Sequence, residues 1–210
     1  MDSIKYLEWR YAVKKFDSER ILSEEKIERL KQAFNLTATS YGLQPISLAV
    51  IHNKDLQNKL VEHSFGQQQV GQASHVLVIC IQNDINEDYI NRYFEQIRKV
   101  RGTSDEILNP FKNAMMADFS KKEGHEIEQW SKNQAYLALG NLLTVCAMEK
   151  IDSCPMEGFI PSAYDDMLNL KKSGLTSVLV LPVGYRANDD MFSEFKKVRK
   201  NIEESIIEIN

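Results

Sequence analysis

His75-Val76-Leu77-Val78-Ile79-Cys80-Ile81 is an almost unbroken apolar run rich in β-branched residues. Such a run reads as a buried strand covered on both faces, because an alternating pattern would be expected if one face met water. A second run of the same kind is Ser177-Val178-Leu179-Val180-Leu181-Pro182-Val183, and Ile46-Ser47-Leu48-Ala49-Val50-Ile51 reads as a third strand. Helical segments lie between and around them. Ser23 is placed to cap a helix whose first turn holds Glu24 and Glu25, both favourable at the positive end of a helix dipole. Lys54 to Val61, Glu87 to Val100 and Asp105 to Lys121 read as further helices, with Gly102 separating the last two. Glu126 to Lys150 is the longest, and its second half is apolar nearly all round, as expected of a central core helix or one at a protein interface. Strands and helices alternate irregularly, so the expected class is α+β, a small mixed sheet covered by helices.

The length of 210 residues suits one well-cored domain, taken as residues 1–210, and no Pro/Gly/Ser-rich linker divides it. Lys and Arg total 26 against 30 Asp and Glu, for a formal charge of -4, which argues against a nucleic-acid partner. Two compact basic clusters stand out, Arg10-Lys14-Lys15 and Lys196-Lys197-Arg199-Lys200. Each is too small for a duplex footprint but large enough to hold one phosphate. The start of the chain has no apolar leader, and Tyr136 to Met148 is too short and too polar to span a bilayer. Three scattered cysteines without a C-x-x-C fit a reducing compartment, so a cytoplasmic protein is expected. Cys80 and Cys146 are expected to be inert core thiols, and Cys154, before Pro155, to lie in a loop, its exposure left open and nothing nearby in sequence marking it as activated.

Chemistry-bearing motifs are absent. There is no G-x-G-x-x-G after a strand, no complete phosphate-binding loop and no G-x-S-x-G elbow. The four histidines are scattered without an H-x-x-x-H pair, so no metal site is expected. With no acid–base pair or nucleophile in view, the chain reads as a binding protein or as an enzyme whose chemistry resides in a cofactor.

Several segments in order carry a resemblance. They are Arg10-Tyr11-Ala12-Val13-Lys14-Lys15-Phe16, Ser40-Tyr41-Gly42-Leu43-Gln44-Pro45, Gly66-Gln67-Gln68-Gln69-Val70, Gln134 to Asn141, Pro155-Met156-Glu157-Gly158-Phe159 and Lys197-Val198-Arg199. Together they resemble the nitroreductase family over nearly the whole chain. The resemblance implies an α/β/α sandwich, a homodimer with FMN at the subunit interface, and a C-terminal segment exchanged with the partner subunit. It implies NAD(P)H as reductant and a nitroaromatic or quinone acceptor served by ping-pong exchange. A pteridine or enone acceptor, or a flavin-binding dimer without turnover, stays open, as does the choice between NADH and NADPH.

By the same resemblance, Arg10, Lys197 and Arg199 take the FMN phosphate, which needs cationic donors. Arg10 and Lys14, four apart, are expected to share a helix face, with Lys14 reaching further along the cofactor. Tyr11 and Ala12 lie beside them, Ala12 where many members carry Ser. Ser40 and Gln44 would bond the ribityl chain or ring edge. Gln69, which stands where some members have Lys, would face the ring's polar edge. Pro155, Met156, Glu157 and Gly158 would pass over the ring, the glycine allowing close backbone approach. Tyr41, Met115 and Met116 are assigned to the substrate pocket, with two core methionines as the open alternative.

Overall fold

The computed structural model of the chain describes residues 2–209. In chain order it contains α1 (Ser3–Trp9), α2 (Glu24–Asn35), β1 (Ile46–Ile51), α3 (Lys54–Glu62), α4 (Gln69–Gln72), β2 (His75–Gln82), α5 (Glu87–Arg101) and α6 (Asp105–Phe119). There follow α7 (Gly124–Met148), β3 (Asp152–Ser153), α8 (Pro161–Met167), β4 (Leu175–Gly184) and α9 (Ile202–Ser205).

The two apolar runs pair with each other. β2 and β4 are antiparallel neighbours, Leu77 facing Leu181 and Val78 facing Val180, and the sheet order is β1-β2-β4-β3. All pairings between these four strands are antiparallel, and the sheet is mixed only at its margin, where Ala12 forms a parallel bridge with Ser153. The helices between β1, β2 and β4 return the chain reversed rather than through parallel crossovers.

Residue alternation divides the core into two layers. Leu77, Ile79 and Ile81 of β2 point to a layer with Leu30 of α2 and with Ala138, Leu142 and Cys146 of α7. Val76, Val78 and Cys80 point the other way, to Leu60 of α3, Tyr164 of α8, Val13 and Phe16. Helices therefore cover both faces, as the unbroken apolar runs require. A third cluster joins α5 to α6 through Ile90, Phe94, Leu108 and Phe119. The α2 cap is as expected, with the Ser23 side chain accepting from the Lys26 N–H, and Gly102 ends α5 in a left-handed conformation.

One face of α7 is buried, and Tyr136, Leu137, Gly140 and Met148 are exposed. The tail from Val198 to Ile209 is exposed throughout, including Ile202, Ile206, Ile207 and Ile209. Among the described residues, no helix is long and apolar enough to cross a membrane and no group of side chains is arranged to hold a metal ion.

Candidate functional site

The first basic segment lies on the sheet edge. α1 stops at Trp9, and Arg10 is already extended at φ −72° and ψ 143°. Arg10 and Lys14 therefore do not share a helix face. The sequence spacing allows a helix, but Val13 and Phe16 are drawn into the core under the sheet, and the backbone runs alongside β3 to reach it. The Val13 N–H donates to Ser153 O at 3.2 Å, and the Asp17 N–H to Tyr185 O at 2.8 Å.

Asp190 locks this edge. Its Oδ2 accepts from the Tyr11 hydroxyl at 2.9 Å and from the backbone N–H groups of Lys14 and Lys15 at 2.9 and 3.3 Å, while Oδ1 accepts from the Phe192 N–H at 3.2 Å. Burial alone would raise the carboxyl pKa, but these donors outweigh it and hold Asp190 below the usual carboxylate range. Burial, reinforced by the bond to Asp190, pushes the Tyr11 hydroxyl pKa up. Next to it, the Arg186 guanidinium lies 4.5 Å from the ring centroids of both Trp9 and Tyr11, and its Nε donates to Asp152 Oδ1 at 2.8 Å.

Against this edge the chain brings its other end. Lys197 Nζ donates to the carbonyls of Glu8, at 2.8 Å, and Arg10. The result is a cleft of about 330 Å³ lined by Arg10, Tyr11, Ala12, Lys14, Lys197 and Arg199, together with Phe192, Phe195 and Lys196. Among the described residues, none of Arg10, Lys14, Lys197 and Arg199 pairs with a carboxylate. Arg10 Nε is buried with no hydrogen-bond partner. Burial first, and then the neighbouring Arg199, lowers the Arg10 pKa; burial, Arg10 and Arg199 lower that of Lys197. A cluster of like charges with an unanswered buried donor favours an anion.

Pro155 to Gly158 leaves the same edge, two residues beyond Ser153. Met156 does not line a cavity: its side chain is 4% exposed in the core, and its N–H donates to Val180 O at 2.8 Å. Glu157 and Gly158 are different. Their backbone N–H groups have no acceptor among the described residues. The Tyr136 hydroxyl donates to Glu157 Oε1 at 2.7 Å, and Gln67 Nε2 donates to Gly158 O at 2.8 Å. Gln69, buried at the head of α4, makes no hydrogen bond to this segment; Gln67 is the member of the glutamine run that reaches it. Cys154 is not in an exposed position. It is 2% exposed, packed among the residues under the sheet, and burial raises its thiol pKa.

Ser40 to Gln44 forms a strained turn, with positive φ at Tyr41 (59°), Gly42 (73°) and Gln44 (46°). Two tyrosines of α5 clamp it. The Tyr89 hydroxyl reaches the carbonyls of Leu43 and Gln44 at 3.0 and 2.8 Å, and Tyr93 donates to Tyr41 O at 2.7 Å. The Ser40 N–H donates to Gln134 Oε1 at 2.8 Å, and Gln44 Nε2 to Asn35 O at 2.8 Å. The Tyr41 ring is 6.1–6.4 Å from those of Phe111, Phe119 and Trp130. Met115 belongs to the core and not to a pocket wall. It is 2% exposed among Leu43, Phe94 and Phe119, and Met116 packs half-buried against the same cluster.

Apart from Gln69, which stays buried in α4, the residues singled out for the cofactor fall into two groups within one chain. Arg10 to Lys14, Pro155 to Gly158, Lys197 and Arg199 gather at the sheet edge. No residue of the Ser40–Gln44 turn lines the cationic cleft or hydrogen-bonds a residue that does. Asp190, Gln67 and Tyr136 support the first group without standing out in the sequence: Gln67 and Tyr136 lie inside family-like segments undistinguished from their neighbours, and Asp190 is one of an acidic pair.

Residues 7–185 match the family model described as Nitroreductase family. The chain is 32% identical over 200 residues to "Putative NAD(P)H nitroreductase YfkO" of Bacillus subtilis, covering 86% of this chain and 87% of that protein. It is 31% identical over 191 residues to "Putative NAD(P)H nitroreductase SAB2397c" of Staphylococcus aureus, covering 86% and 85%. Among solved structures, a "putative nitroreductase in complex with FMN" from Exiguobacterium sibiricum superimposes with a TM-score of 0.83 at 16% identity, covering 100% and 98% of the two chains. The "putative nitroreductase ydfN" from Bacillus subtilis superimposes with a TM-score of 0.87 at 16% identity, covering 98% of each. These two establish likeness of fold.

Proposed function

This chain belongs to the nitroreductase family, and from that premise we propose that it is an NAD(P)H-dependent oxidoreductase that binds FMN and reduces nitroaromatic or quinone-type acceptors. The observation that carries the reading is the cationic cleft. Among the described residues, Arg10, Lys197 and Arg199 converge without a counter-ion, and the buried Arg10 Nε has no acceptor. A phosphate dianion supplies both the charge and the acceptor atoms that this cluster lacks.

The N–H groups of Glu157 and Gly158, without an acceptor among the described residues, suit the N5 side of a flavin ring, and Lys14, which lines the cleft, can stabilise negative charge along the cofactor. FMN, when bound, supplies the two-electron chemistry, with reductant and acceptor alternating at one place. The protein's own residues orient and bind; none is required as nucleophile or general base.

The working unit in this reading is a homodimer in which the partner's Ser40–Gln44 turn completes the site. The separation of the two groups within one chain supports it, as do the exposed apolar face of α7 and the isoleucine-bearing tail beyond Arg199. Tyr41 and its aromatic neighbours Phe111 and Trp130 then face the acceptor. The test is steady-state NAD(P)H oxidation by the yellow, FMN-loaded protein with menadione or a nitrofuran. Parallel double-reciprocal lines are expected, and an obligatory ternary complex would count against alternation at one place.

A further inference from the structure

We infer that Gln67 and Tyr136 are positioning residues that hold the Glu157–Gly158 turn as a preorganised pair of outward N–H donors. The inference rests on the flavin reading above for what those donors meet, while the clamp itself stands on geometry.

Each peptide plane in the turn is fixed by a bond on its other side. The plane carrying the Glu157 N–H is held by Met156 O, which accepts from the Val180 N–H at 3.0 Å. The plane carrying the Gly158 N–H is held by Glu157 O, which accepts from the Phe159 N–H at 3.0 Å. The Phe159 N–H is oriented in turn by Gln67, because Gln67 Nε2 donates to Gly158 O, on the same peptide, at 2.8 Å. Gln67 is well placed for this. The left-handed residues Phe65 and Gly66 turn the chain just before it, and Gln67 Nε2 is shared with Ser64 O at 3.0 Å. The neighbouring His63 O accepts from the Ile160 N–H at 2.8 Å, tying the same two loops together again.

Tyr136 acts on the opposite hazard. The Glu157 carboxylate hangs beside its own N–H and that of Gly158, both without an acceptor among the described residues, so it is a competing acceptor that can fold back to cap them. The Tyr136 hydroxyl engages Glu157 Oε1 at 2.7 Å and holds that carboxylate against α7. The donors stay free for a ligand, with little reorganisation needed on binding.

The two roles predict different variant behaviour. Tyr136 is exposed and Gln67 half-buried, so Tyr136→Phe and Gln67→Met should both fold. Purified apoprotein is titrated with FMN, and amide exchange is followed at Phe159. Gln67→Met should speed Phe159 exchange and weaken FMN binding by about five- to tenfold each, the range expected for one lost hydrogen bond. Tyr136→Phe should weaken FMN binding by a similar factor, and adding Glu157→Ala should restore most of it by removing the competing carboxylate. Rescue is the outcome that a merely structural role for Tyr136 would not give. Unchanged FMN affinity in either single variant, unchanged Phe159 exchange in Gln67→Met, or a further loss on adding Glu157→Ala overturns the inference. Wild-type protein that takes up no FMN in the same titration overturns the flavin reading instead, and the exchange result then still reports on the clamp.

Discussion

The hydroxyl of Tyr11 donates to Asp190 Oδ2 across 2.9 Å, joining residues 179 positions apart in the chain. That bond fixes the relation between the two sources of positive charge in the cleft, one near each end of the sequence. Asp190 carries no ligand contact in this account. It sets the edge on which Arg10 and Lys14 stand and from which the chain runs on to Lys197.

Replacing Asp190 with Asn keeps the shape and weakens four hydrogen bonds. Stability near neutral pH should fall by about 1–3 kcal/mol, the range for a disturbed buried polar network, as read from urea unfolding. The sign of the pH dependence follows from the lowered carboxyl pKa. The folded state favours the ionised form, so the stabilisation is present above the ordinary Asp value of about 3.9 and is lost as pH falls through the lower folded value. The wild type should therefore lose its advantage over Asp190→Asn on acidification. An advantage that grows in acid would contradict this.

Gly42 and Tyr93 should be energetically coupled. A Cβ at Gly42 would lie 2.6 Å from the Tyr93 hydroxyl, and the backbone there has φ +73°. Gly42→Ala should cost at least about 1–2 kcal/mol from the left-handed backbone alone, with the clash added. Tyr93→Phe removes the obstructing oxygen and also the bond to Tyr41 O. The double variant should be more stable than the sum of the single effects predicts; strict additivity in a thermal-unfolding cycle would refute the coupling.

All three thiols should be silent in the native protein. Burial pushes Cys80 and Cys146 up to about 12, and Cys154 is raised as well. A disulfide-exchange reagent near neutral pH should find no thiol before denaturation and three after it. Rapid native labelling of Cys154, in particular, would mean that the segment before Pro155 opens.

The exposed stripe on α7 should be the heart of the dimer. Leu137 and Met148 are exposed apolar side chains, and at Gly140 between them a Cβ would meet nothing within 4 Å. Leu137→Glu should shift the molar mass seen by light scattering from two chains to one and weaken FMN retention, because the partner's Ser40–Gln44 turn is lost with the interface. A wild-type monomer that holds FMN would dismiss this assembly.

Much of this architecture is legible in the sequence because burial on two faces writes itself as unbroken apolar runs. The strands read at 46–51, 75–81 and 177–183, the Ser23 cap of α2 and the break at Gly102 after α5 follow from that pattern and from local chemistry. The rest is hidden for physical reasons. β3 has two residues, too few to show a period, and α1 buries no side chain. The i, i+4 spacing of Arg10 and Lys14 suits a helix, yet Val13 and Phe16 draw the chain along the sheet edge, a choice made by tertiary packing. At the site, Arg10, Lys197 and Arg199 stand out as basic residues in family-like segments. Asp190 and Tyr136 act through partners distant in sequence, and Gln67 differs from Gln68 and Gln69 only by where the left-handed Phe65–Gly66 turn aims it.

The clamp on a phosphate is the centre of the account, and paired titrations of the apoprotein with FMN and with riboflavin test it most directly. The two ligands share the ring and the ribityl chain and differ by the phosphate. FMN should bind at least about a hundredfold more tightly, as charge-assisted bonds of about 1.5–3 kcal/mol each imply. Most of that preference should vanish in Arg10→Gln and Arg199→Gln. Equal affinity for the two ligands in the wild type, or a preference that survives both substitutions, would contradict it.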